Sequence, residues 1–124
     1  FRRVLFRAGN DMAMIYHLAP VSDWEAAGGL EEYAAESLES EGFIHCSKDH
    51  SQAIEVANRL FKGRDDMLVL ELDVDRLVSP IKHEAARSGT VYPHIYGPIN
   101  IDAVVGVLGL ITGEDGQFTG LTSG

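Results

Sequence analysis

The sequence predicts an α+β domain built on a mainly antiparallel sheet, and three observations predict it. Strand-like stretches outnumber helix-like ones, the helix-like ones fall in the first half, and the second half never returns to the strand-helix-strand alternation of a wound parallel sheet. At 124 residues the chain has the length of one domain, enough to bury a core without metal or disulfide staples. An apolar content of 45% with 23% charged residues is that of an ordinary globular protein.

The opening stretch Phe1-Arg2-Arg3-Val4-Leu5-Phe6-Arg7 continues into no downstream periodicity. Residues 1–11 read as a non-native extension to be set aside from fold reasoning, with the domain over 12–112 beginning at Met12 or Met14. Residues 14–18 are apolar and β-prone, and Ala19-Pro20 ends the strand. Ser22 with Glu25 three positions on forms a capping-box pattern, predicting a short helix over 22–27 that carries Trp24 and stops at Gly28-Gly29. Leu30, Tyr33, Ala34, Ser37 and Leu38 recur at helical spacing, with Gly42 as the stop.

Residues 43–47 then read as a short strand on which Phe43, His45 and Ser47 share one face while Ile44 and Cys46 point to the core. Asp49 and Gln52 open the next helix, whose apolar stripe is Ala53, Val56, Ala57, Leu60 and Phe61; Glu55, Asn58, Arg59 and Lys62 are left free for other work. Residues 67–74 read as a strand, 81–84 as a short edge strand, 91–100 as a turn-rich aromatic segment and 103–111 as the last strand. Gly106 and Gly109 inside that last strand predict close approach of another backbone. Residues 113–124, rich in Gly and Thr, read as a flexible tail.

Charge and cysteine content narrow the partners. A net charge of -9 opposes a large nucleic-acid surface, which needs clustered Lys and Arg. No apolar run is long enough to span a bilayer and no secretory signal is visible, so no membrane partner is expected. The single cysteine, Cys46, excludes an internal disulfide and fits a reducing compartment, so the expected location is cytoplasmic.

The candidate chemistry lies in histidines at strand ends: His17 on the first strand, His45 on the central one, and His94 before Gly97-Pro98. Histidine titrates near neutrality and suits proton transfer or the holding of a ligand hydroxyl. Glu84, beside His83, reads either as a solvated edge residue or as a carboxylate near the histidine cleft, and Tyr96 shares the face of His94 if that piece is extended. Phe43 lines the cleft; Ser47 either caps local backbone or joins free helix N–H groups in holding an anion. Trp24 and Tyr33 read as core and rim aromatics. A zinc site of His17, His45 and His94 lacks any paired spacing such as His-x-x-x-His, and no metal is expected. Cys46 reads as a small core hydrophobe rather than a nucleophile. Neither a Gly-rich phosphate loop nor a GxSxG elbow is present.

Taken together, Ile15-Tyr16-His17, Trp24, Tyr33, the run Glu41-Gly42-Phe43-Ile44-His45-Cys46-Ser47 with Gln52, then Leu70-Glu71-Leu72-Asp73, Glu84 and Tyr92-Pro93-His94-Ile95-Tyr96-Gly97-Pro98-Ile99 resemble the domain of unknown function 952 family over residues 14–111. That family is small, soluble and bacterial and has no established activity. It is similar in fold to the ADP-ribosyltransferases and RNA 2'-phosphotransferases, which hold NAD or an ADP-ribosylated intermediate in a cleft between two small, mainly antiparallel sheets. The resemblance implies that His17 holds the adenosine ribose, that His45 stands where a tyrosine stacks on nicotinamide, and that His94, with Tyr96 beside it, stands where a catalytic glutamate is expected. A protonated histidine there would oppose an oxocarbenium-like transition state, which puts standard ADP-ribose transfer in question unless Glu84 supplies the carboxylate.

Two functions follow as expectations. The first is an NAD-utilising, ADP-ribosyltransferase-like transferase, or an enzyme of related phosphoester or glycosidic-bond chemistry, in which NAD is the substrate, His45, His94 and Glu84 are catalytic, and His17, Phe43, Ser47 and Tyr96 bind a nucleotide-like ligand. The alternative is a non-catalytic module of the same fold that binds a small metabolite or a peptide.

Overall fold

The computed structural model describes residues 13–122, so the expected N-terminal extension lies outside the described residues. In chain order these residues form β1 (Met14–Pro20), α1 (Val21–Ala26), β2 (Glu32–Tyr33), α2 (Glu36–Glu41), β3 (Ile44–His45), α3 (His50–Phe61), β4 (Met67–Asp73), β5 (Ile81–Ala85), β6 (Val91–Ile95), β7 (Ile99–Asn100), β8 (Val104–Thr112) and β9 (Phe118–Thr122). Single 3-10 turns lie at Val74–Arg76 and Ile101–Ala103. Every strand pairing is antiparallel, and the described helices all precede β4, as the sequence predicts.

The strands divide into three pairing groups rather than two sheets: a four-stranded sheet in the order β1-β4-β8-β9, a three-stranded sheet β3-β6-β5, and the short pair β2-β7. β4 runs between β1 and β8, and its Val69, Leu70 and Leu72 are completely buried. The core continues from them through Ile15 and Ala19 of β1 to Ile44, Cys46, Ile95 and Ile99, so it lies between the four-stranded and three-stranded sheets. One backbone bridge joins the two. The Tyr16 N–H donates to the Ser47 carbonyl at 2.8 Å, and the Ser47 N–H returns to the Tyr16 carbonyl at 2.7 Å.

α3 is started by Asp49, whose Oδ1 accepts from the Gln52 N–H at 2.8 Å; Gln52 in turn accepts from the Lys48 N–H and donates to the Val91 carbonyl, tying the helix start to β6. Ala53 and Ala57 are fully buried, whereas Leu60 at the end of the expected stripe is 61% exposed. Gly42 closes α2 in the left-handed conformation at φ 91°, the stop the sequence predicts.

Several local expectations give way. Ser22 and Glu25 form no capping box: α1 begins after Pro20 and no side chain caps it. The helix expected from Leu30 onward is only Glu36–Glu41, because Glu32–Tyr33 is drawn into pairing with Asn100 and Ile99, and Leu30 lies exposed. Long-range pairing overrides local periodicity there. Gly106 and Gly109 face side chains rather than a backbone, since a Cβ at either would meet Glu71 Oε1 at 2.6 Å or Thr122 Oγ1 at 2.9 Å. The segment read as a flexible tail contains β9, with Phe118 3% exposed. Asn58 holds it by accepting from the Phe118 N–H at 2.7 Å and donating to the Phe118 carbonyl at 3.0 Å.

Candidate functional site

A cavity of about 580 Å³ opens where β1 meets β3 and β6 beneath α3. That volume suits a ligand of metabolite size. Of the residues the sequence singles out, His17, His45, Ser47 and His94 line it together. Glu84, Phe43 and Tyr96 instead gather on His94 and reach the cavity only through it.

His17 lies within β1 rather than at its end, paired with Leu70, on the face that carries Ile15 and Ala19 inward. Its ring is 6% exposed, and burial lowers its pKa from 6.5 to about 4, so at neutral pH it is uncharged. Nδ1 lies 2.7 Å from the His45 carbonyl, which only accepts, so Nδ1 carries the proton and Nε2 is a bare lone pair. That Nε2 is buried with no partner. Beside it, at 5.6 Å between ring centroids, stands Tyr33, whose hydroxyl is also buried and unpartnered and whose pKa burial pushes up to about 12. Two orphaned polar atoms side by side are costly in a folded protein unless something else meets them. Both residues line the cavity.

Ser47 is buried on the same wall, and its hydroxyl makes no hydrogen bond among the described residues; the cap of α3 is Asp49, so the capping role for Ser47 falls away. The lining includes both signs of charge. Arg59 and Arg64 come from the last turn of α3 and the loop beyond it, Asp23 and Glu36 from α1 and α2. Arg64 is held by a two-pronged pair with Asp66 at 2.8 and 2.7 Å, while Arg59 has no partner among the described residues.

His45 and His94 face each other across β3 and β6 with ring centroids 5.2 Å apart and planes nearly perpendicular. Each is backed by a glutamate. His94 Nδ1–H donates to Glu84 Oε1 at 2.7 Å, the same oxygen that accepts the Tyr96 hydroxyl at 2.6 Å. These two bonds, that from Tyr96 foremost, lower the Glu84 pKa, and the bond to Glu84 raises that of Tyr96. Glu84 and Tyr92 are direct partners on β5 and β6, so Glu84 meets His94 diagonally across the pair, and Tyr96 reaches it from just beyond the end of β6. His45 Nε2–H donates to Glu41 at 3.2 Å. Phe43 stacks on His94 at 4.2 Å between centroids and meets Tyr96 at 5.4 Å.

Cys46 points to the core as the alternation predicts, and burial raises its thiol pKa far above the usual range, which leaves it un-nucleophilic. Among the described residues no three His, Cys, Asp or Glu side chains gather as a metal site. No described helix is long and apolar enough to cross a membrane. Sequence reasoning missed Tyr33, taken for a rim aromatic, and the two arginines. Only the free polar face assigned to Arg59 hinted at them.

Comparison with known proteins now assigns the family. Residues 18–107 match the family described as "Protein of unknown function (DUF952)". The chain belongs to that family. Among solved structures it is similar to the crystal structure of protein CC0527 from Caulobacter crescentus, with 29% identity and a TM-score of 0.75 over 86% of this chain and 93% of that one. The solution NMR structure of CC0527 gives 30% identity and a TM-score of 0.71 over 84% and 90%. No curated protein matches the chain. DUF952 membership thus carries the small antiparallel α+β fold and leaves the chemistry to be argued from the cavity.

Proposed function

We propose that this DUF952 protein binds a nucleotide of the NAD or ADP-ribose type in the cavity between its sheets, in an ADP-ribosyltransferase-like arrangement. The observation that carries the reading is that His17 and Tyr33, both lining residues of the cavity, each hold a buried atom without a partner, Nε2 and Oη. Nε2 must accept a hydrogen bond, and Oη can donate one. A ribose offers both halves at once, because one hydroxyl donates to the imidazole while its neighbour accepts from the phenol. The unpaired Arg59 and the nearby Arg64 suit a phosphate, and Tyr16, Tyr92 and the two facing histidines offer ring surfaces to a base.

Glycosyl transfer of the standard kind is less well served. Glu84, the carboxylate in contact with His94, is engaged by two donors. Binding is therefore the core of the reading. Its test is thermal unfolding with ADP-ribose, NAD and AMP: a ligand that binds only the folded state raises Tm, and at a hundredfold excess over Kd it adds about 2.7 kcal/mol. The reading expects a rise with ADP-ribose or NAD that His17→Asn removes. No rise with any of the three would end it.

A further inference from the structure

We propose that the cavity is a metal-independent phosphodiesterase site, opening a cyclic nucleoside phosphodiester with His94 as general base and His45 as general acid. This rests on the nucleotide-binding reading and adds a reaction to it.

The geometry is that of a matched pair. β3 and β6 place the two imidazoles directly opposite one another, 5.2 Å between centroids, and both line the cavity. Each ring has one nitrogen tied to a glutamate and the other unpaired. Glu84 accepts the hydrogen bond of His94 Nδ1–H, so in a neutral ring Nε2 is the free lone pair of a base; Glu41 accepts that of His45 Nε2–H, so in a protonated ring Nδ1–H is the free donor of an acid. His94 Nε2 is not among the buried atoms left without a partner. The Phe43 ring stacked on His94 and the Tyr96 hydroxyl on Glu84 fix the base in one orientation. Arg59 on the same wall supplies positive charge for non-bridging phosphoryl oxygens. Two facing imidazoles beside a cationic side chain suit P–O cleavage, in which one proton is removed from the nucleophile as another is given to the leaving oxygen.

The step balances without a co-reactant beyond water. Water loses a proton to His94 Nε2 as its oxygen forms a bond to phosphorus. The P–O bond to one ribose oxygen breaks, its electron pair stays on that oxygen, and the oxygen takes the proton from His45 Nδ1. The product is a nucleoside monophosphate, and exchange with solvent restores both rings. Glu84 and Tyr96 are positioning residues here, since they act through His94.

The test follows adenosine 2',3'-cyclic phosphate by 31P NMR with the full chain, alongside calorimetric titration of ADP-ribose. The expected result is conversion of the cyclic ester to the monoester. His94→Ala and His45→Ala should each slow it at least about 100-fold. Glu84→Gln should lower kcat about tenfold at unchanged KM, because it loosens the base without touching substrate; His83→Ala, elsewhere on the edge strand, should match the unmodified protein. An intact cyclic ester with protein that binds ADP-ribose overturns this inference and spares the binding reading. Turnover that survives His94→Ala also overturns it. Turnover lost in both histidine variants, with no heat from ADP-ribose, keeps the inference and removes the ADP-ribose reading, and neither turnover nor heat removes both.

Discussion

Acidification tests the account of His17 quantitatively. Desolvation holds its pKa at about 4 in the folded protein, against 6.5 in a solvated chain. Between those values the unfolded state takes up a proton that the folded state refuses. The contribution is therefore complete above about pH 6.5 and is lost as the pH falls toward 4. At about 1.4 kcal/mol per unit, the gap is worth about 3 kcal/mol, a large share of what holds a domain of this size together. Urea denaturation of the unmodified protein and His17→Asn at steps from pH 7 to pH 4 isolates it. The Asn side chain keeps an N–H for the His45 carbonyl but has nothing to titrate. Carboxylates held low by partners, such as Glu84 and Asp66, weaken both proteins alike as they protonate, and cancel in the difference. The expected result is that the advantage of the unmodified protein over the variant shrinks by about 3 kcal/mol across this range. Parallel curves would refute the claim that His17 is buried and neutral.

Two further outcomes follow from the packing. Asn58→Ala leaves the Phe118 N–H and carbonyl without partners and should cost about 1–3 kcal/mol, with β9 amides losing hydrogen-exchange protection before those of β4. Cys46, buried and with its thiol pKa pushed up, should react with a thiol reagent only as fast as the protein unfolds; rapid labelling of the native state would contradict the placement of Cys46 in the core.

What the sequence made legible was what local pattern controls. The alternation across residues 43–47 correctly sends Ile44 and Cys46 inward, and Asp49 caps α3 as predicted. What it hid depends on distant pairing. Tyr33 sits in a stretch with helical periodicity, yet it is claimed by Ile99, and that pairing sets its ring beside His17 at the cavity. The composition of the C-terminal segment suggested a loose end, but Asn58, 60 positions earlier, supplies the hydrogen bonds that make it an edge strand. Arg59 and Arg64 become part of a site only because α3 ends over β1.

The most direct test of the central claim is the imidazole 15N spectrum of histidine-labelled protein titrated with ADP-ribose. Nδ1 of His17 should already appear protonated and stay so, while Nε2 should begin as a bare acceptor and shift saturably as a ribose hydroxyl reaches it. An Nε2 resonance unmoved by ADP-ribose up to about 1 mM, where even a contact worth about 4 kcal/mol would be seen, would contradict it.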